Sequence, residues 1–136
     1  MRAVLTYHSL DPSASPISLS PQIFRRQMRW LANEGPRVVT LDALLRTDAN
    51  ADAVVLSFDD AFDNFRTEAL PVLRDLGLAA TLGVVTGQVG ETNRWGGRDQ
   101  PGIPTLPLMD WDGLGAAVAT GLIEIAAHTR THPHLS

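Results

Sequence analysis

Between residues 53 and 86, two apolar runs, AVVLSF (53–58) and AATLGVVT (79–86), flank a segment whose apolar residues Phe65, Ala69, Val72, Leu73 and Leu76 recur at helical spacing. No other feature constrains the fold as much. Short apolar runs without polar alternation suit strands buried on both faces, and strands joined through a helix pair in parallel. Gly77 closes the helical stripe, and Pro71 must start or kink part of it.

The same grammar extends in both directions. AVLTY (3–7) reads as a first strand ending near His8, followed by the polar, proline-containing loop SLDPSASPISLS. Ser20 and Pro21 offer an N-cap and a first helical position for a helix carrying Phe24, Met28 and Leu31 and stopped by Gly35. RVVTL (37–41) is a short strand, LDALLR a helical turn or two, DWDGLGAAVATG (110–121) a glycine-weakened helix and LIEIAA a last strand. Residues 87 to 107 carry Gly, Pro, Asn and Asp at loop density, long enough for a functional or mobile segment. Alternating strands and helices imply an α/β sheet or barrel built of parallel units.

At 136 residues, with 44% hydrophobic content, the chain suits one domain, 1–136, with a genuine core. No window approaches the run of roughly 18 apolar residues a membrane span needs, and the N-terminus leads straight into a strand without a signal peptide's apolar core, so the default expectation is a cytoplasmic protein. The net charge is −4 and the basic residues, all Arg, are scattered, which gives no support to nucleic-acid binding. Without cysteine, a bound metal would have to use histidine and carboxylate.

Two constellations carry chemistry. LSFDDAF (56–62) puts Asp59 and Asp60 at the carboxyl end of a buried strand, where parallel α/β folds build their sites. Adjacent side chains leaving a strand point in different directions, so one carboxylate is free for a metal while its neighbour faces substrate or water. The competing reading has one cap a helix and the other solvated. HTRTH (128–132) spaces His128 and His132 so that one helical turn would bring both imidazoles to one face. Its competing reading is a pair of loop histidines bonded locally. Thr129 or Thr131 is suited to holding that loop's backbone, and His134, after Pro133, reads as a surface side chain. Together the constellations supply two imidazoles and a carboxylate, a set that points first to Zn²⁺ and is also known for non-haem Fe(II). His8, at the end of the first strand, is a candidate to line the pocket. Trp95, in the long loop, is the better of two candidates for an aromatic binding face; Trp111, at a helix start, suits packing.

These residues resemble the polysaccharide deacetylases of carbohydrate esterase family 4, the NodB homology domain. SFDDA resembles that family's first motif, T-F-D-D-G, and HTRTHP its second, H-[ST]-x-x-H-[PS]; similar text runs through VLTYHSL, RRQMRWLANEG, ALPVLRDLGLAAT and MDWDGLGAAVATGLIEIAAHT. The resemblance implies a metal-dependent hydrolase that removes N-acetyl groups from a saccharide, with Asp59 as general base and Asp60, His128 and His132 as ligands of a divalent ion, Zn²⁺ first. It implies a partial (β/α) barrel, helices outside, whose C-terminal strands and late general-acid histidine lie beyond Ser136; the chain is then a truncated domain. The family is often extracytoplasmic. A non-catalytic remnant that keeps the metal-binding fold is the alternative, and a phosphoacceptor domain built on Asp59 and Asp60 ranks behind both because it leaves the histidines unexplained. Where the motif has glycine this chain has Ala61, acceptable if the backbone there avoids positive φ. Neither the saccharide nor the oligomeric state is legible.

Overall fold

The computed structural model describes residues 1–46, 48 and 50–133. Strand β1 (Arg2–Tyr7) leads into two short strands, β2 (Ser9–Leu10) and β3 (Ser18–Leu19), which pair in parallel within the segment expected to be loop. Helix α1 (Pro21–Glu34) follows, then β4 (Arg37–Val39), α2 (Leu41–Arg46) and β5 (Ala53–Phe58). A π-helical turn (Phe65–Ala69) runs into α3 (Leu70–Leu76), and β6 (Ala80–Val84), α4 (Trp111–Val118) and β7 (Ile123–Ala127) complete the order.

The main sheet has five strands, all paired in parallel, as the alternation predicts. Strand β5 is its centre, with β1 along one side and β4 and then β6 along the other; β7 pairs with β6. Its residues are almost all buried, as are those of β6, which is why both runs lack polar alternation. Val4, Leu5 and Ile125, on the terminal strands β1 and β7, are exposed.

Register decides where the chemistry sits. Tyr7 pairs with Phe58, Phe58 with Leu82, and Val84 with Ala127, so β1 and β5 finish level with each other, and β6 and β7 finish together two residues further on. The residues that follow them, His8, Asp59 with Asp60, Val85 and His128, therefore emerge at the same edge. Beneath them the core is aromatic. Tyr7 and Phe58 stack with ring centres 5.1 Å apart, and Phe24 from α1 meets both edge-on at 5.5 and 5.7 Å. Phe65 closes on Phe58 at 4.8 Å.

One local expectation needs adjustment and two hold. Ser20 holds the N-cap position of α1, but its hydroxyl makes no capping bond, and Pro21 alone marks the start. Pro71 opens α3 rather than kinking a longer helix, and the turn before it widens so that the Leu70 N–H reaches back to the Phe65 carbonyl. Proline offers no N–H to the preceding turn, and a π turn absorbs that loss. Gly77 closes α3 in the left-handed region, φ 65°, as predicted, with the Leu78 N–H bonded to the Leu73 carbonyl at 2.9 Å.

Candidate metal centre

The Asp59 backbone N–H bonds to the Tyr7 carbonyl at 2.9 Å, which continues the β1 to β5 ladder one step past the strand and fixes where the next side chains point. The Asp59 Oδ1 accepts a hydrogen bond from the Ser57 hydroxyl at 3.0 Å. Asp60 then turns into the left-handed region, φ 70°, and Ala61 follows at φ 57°. The condition attached to alanine at this position is thus not met: the backbone is left-handed where the related motif has glycine. Packing sustains it, since Ala61 is buried and its carbonyl accepts the Met109 N–H at 2.8 Å.

The two histidines reach the site differently from the expected helical turn. Residues 128–132 are irregular, and Thr129 and His132 both have positive φ, 65° and 52°. The His128 N–H bonds to the Val84 carbonyl at 2.9 Å, and the N–H groups of Thr86 and Gly87 bond to the carbonyls of Thr129 and Arg130, extending the β6 to β7 pairing into the loop. The Thr129 hydroxyl accepts the His132 N–H at 3.0 Å, the local brace anticipated for a threonine there. A hydrogen-bonded loop does the work of the helix.

The result is convergence. The Nε2 of His132 lies 3.3 Å and that of His128 3.6 Å from one oxygen, Asp60 Oδ1, and the ligand atoms of the three residues all lie within 4.8 Å of one another. Asp60 is 5% exposed, and its Oδ1 is buried with no hydrogen-bond partner. A buried carboxylate oxygen without a donor is costly and uncommon. Bonds of about 2.0–2.1 Å in tetrahedral array put ligand atoms about 3.3–3.4 Å apart. The separations from Asp60 fit a small divalent cation, and such an ion supplies the charge the orphaned oxygen lacks. Burial pushes the Asp60 carboxyl above its ordinary range, opposed by the positive character of His132, His8 and His128 and reinforced by Asp59.

The remaining predicted residues fall around this centre. His8 is half-buried, outside the three-residue group, yet near enough for its charge to act on Asp60. Trp95 lies face to face with the His132 ring, centres 4.4 Å apart and planes 22° apart, so one indole face serves the protein itself. Trp111 is exposed rather than packed. His134 lies outside the described residues.

Sequence reasoning missed two glycines. A Cβ on Gly83 would come 3.3 Å from the His128 Cβ and 3.4 Å from Asp59 Oδ1; on Gly87 it would sit 2.5 Å from the Arg130 carbonyl oxygen. Both let the histidine loop lie against the end of β6. Their place just inside and just beyond a predicted strand end was the available signal.

A sequence profile described as polysaccharide deacetylase matches residues 46–136. The chain is 28% identical over 123 residues to a poly-β-1,6-N-acetyl-D-glucosamine N-deacetylase of Staphylococcus aureus, covering 88% of this chain and 39% of that protein. Among solved structures, IcaB from Ammonifex degensii superposes with a TM-score of 0.77 at 28% identity, covering 95% of this chain and 53% of that one. A de-N-acetylase from Aggregatibacter actinomycetemcomitans superposes with a TM-score of 0.75 at 26% identity, with coverage of 98% and 56%. The chain thus spans about two fifths of the curated relative and about half of each solved structure.

Proposed function

The chain belongs to the polysaccharide deacetylase family, and from that premise we propose that it carries the metal-binding and base-bearing part of a hydrolase that removes N-acetyl groups from a saccharide polymer. The observation that carries this reading is the meeting of His128 and His132 on the partnerless Asp60 oxygen.

In this reading Asp60, His128 and His132 hold a divalent ion, Zn²⁺ by preference because two imidazoles and one carboxylate leave positions open for water and substrate. When bound, such an ion offers positive charge to an amide carbonyl and makes water more acidic. Asp59 is the base. Its Oδ1 is held by Ser57, and its position beside Asp60 suits it to take a proton from the water that attacks the acetyl carbon. The amide C–N bond then breaks to give acetate and a free amine, whose proton comes from a group outside those assigned here. The partners expected are N-acetylated saccharides, and the name of the Staphylococcus aureus relative points to β-1,6-linked N-acetylglucosamine as the first substrate to try. No helix among the described residues is long and apolar enough to cross a membrane.

The test is acetate release from poly-β-1,6-N-acetylglucosamine and from chitooligosaccharides by zinc-loaded protein. The expected result is turnover of at least one of them, abolished in Asp59→Asn with metal retained. Stoichiometric zinc without acetate from any N-acetylated saccharide would favour a non-catalytic metal-binding domain, and an Asp59→Asn variant as active as the parent would remove Asp59 as the base.

A further inference from the structure

The long segment between β6 and α4 is organised around one buried polar residue. Asn93 is 4% exposed, yet all of its bonding groups are used. Its Nδ2 donates to the Pro104 carbonyl at 3.0 Å and its Oδ1 accepts the Leu106 N–H at 2.8 Å. Its backbone N–H donates to the Leu106 carbonyl at 3.2 Å, and its carbonyl accepts from Gln100 Nε2 at 3.0 Å. Backbone bridges at Thr92 with Pro107 and Phe62 with Leu108 tie the same segment down beside Asp60 and Ala61. A buried amide bonded at both side-chain ends and through both backbone groups makes a loop of this length a fixed object.

Two residues past Asn93, that object presents Trp95 to the His132 ring. Imidazoles that bind metals are normally oriented by a hydrogen bond from the second ring nitrogen. Among the described residues, no protein group bonds to the His132 ring in this way. Its backbone is held by Thr129 and its ring plane by the Trp95 face. Both residues also line a cleft of about 580 Å³, together with Arg98, Gln100 and Pro133.

We infer that Trp95 is a positioning residue: by stacking on His132 it fixes the imidazole plane that presents Nε2 toward Asp60, and it thereby links the Asn93-braced loop to metal affinity. This rests on the metal-centre reading above and adds a residue to it. A flat aromatic face restrains ring rotation without supplying a charge, so the effect is read in metal affinity, with metal-free melting as the control for lost packing.

The experiment titrates Ni²⁺ into chelator-stripped protein, following tryptophan emission and calorimetric affinity, with metal-free melting measured alongside. The parent should bind one Ni²⁺ with saturable quenching. Trp95→Phe should lose most of the quenching, since Trp30 and Trp111 lie elsewhere on exposed positions, but keep affinity within about two-fold. Trp95→Ala should bind about ten-fold more weakly, the lower end of the range for residues that orient metal ligands, with metal-free melting unchanged. Should Trp95→Ala also melt several degrees lower, Trp95→Leu decides: weaker binding at parental stability supports the inference, and joint loss of both overturns it. Parental affinity in Trp95→Ala overturns the inference while leaving the metal centre standing; no Ni²⁺ uptake by the parent overturns both.

Discussion

Replacing Asp60 by Asn should stabilise the metal-free fold while destroying its ability to hold an ion. Asp60 Oδ1 has no donor, and the groups nearest to it are two imidazole nitrogens at 3.3 and 3.6 Å. In the form that can bind a metal, an Nε2 without its proton accepts hydrogen bonds and does not repay a buried anion. An asparagine amide turned toward them can donate to the His132 nitrogen at 3.3 Å and carries no charge. Leaving a buried polar atom unsatisfied costs about 1–3 kcal/mol. A gain of about 1–2 kcal/mol is therefore expected, which for a chain of this size raises the melting temperature by roughly 3–8 °C.

Because burial raises the Asp60 carboxyl above its ordinary range, the folded state holds that proton more tightly than the unfolded state does. The associated stability is complete in acid, below the ordinary carboxylate range near about pH 4, and is lost as pH rises through the raised value. The parent and Asp60→Asn should differ most at pH 8 and converge toward pH 5. Thermal unfolding in chelator at both values is the assay. Zinc at a hundred times its dissociation constant should then add about 2.7 kcal/mol to the parent and nothing to the variant. An Asp60→Asn protein that melts at or below the parent at pH 8 in chelator would refute the reasoning, because the carboxylate would already be satisfied without an ion.

Other perturbations test the surroundings. Gly87→Ala drives a methyl to within 2.5 Å of the Arg130 carbonyl and should cost about 1–3 kcal/mol together with weakened metal uptake; a variant that melts and binds as the parent does would show that the histidine loop yields freely. Ala61→Gly relieves a left-handed alanine at φ 57°, worth about 1–2 kcal/mol, but gives up a buried methyl, about 0.8 kcal/mol, and adds about 0.5–1 kcal/mol of chain entropy. The stability change in denaturant should be under about 1 kcal/mol, and a loss above twice that would mean the methyl matters more than the backbone. At Asp11, burial opposes ionisation but is outweighed by bonds from Ser13, Ser9 and Ser18, so its carboxyl sits below the ordinary value. That stability is present above about pH 4 and lost as pH falls through the lowered value, so Asp11→Ala should cost about 1 kcal/mol at pH 7 and almost nothing at pH 2; an equal cost at both would contradict it.

What could be read from the letters alone has a physical pattern. AVVLSF and AATLGVVT became β5 and β6 because continuous apolar runs have one economical home, the middle of a parallel sheet. Asp59, Asp60, His8 and His128 were legible as neighbours because parallel strands in register end at the same edge of the sheet. Less accessible were the features set by tertiary contact. The left-handed turns at Thr129 and His132 replace a helix that spacing alone suggested. The strain at Ala61 depends on the loop that binds its carbonyl, and the stacking of Trp95 on His132 depends on Asn93 far from either motif. Gly83 and Gly87 read as ordinary punctuation until the histidine loop lies across them.

The central claim is that one cation is shared by three side chains, and calorimetric titration of Zn²⁺ into chelator-stripped protein addresses it without reference to any substrate. The parent should take up one ion per chain, and Asp60→Ala, His128→Ala and His132→Ala should each abolish that uptake while remaining folded. Undiminished, stoichiometric binding in any of the three would contradict the shared site.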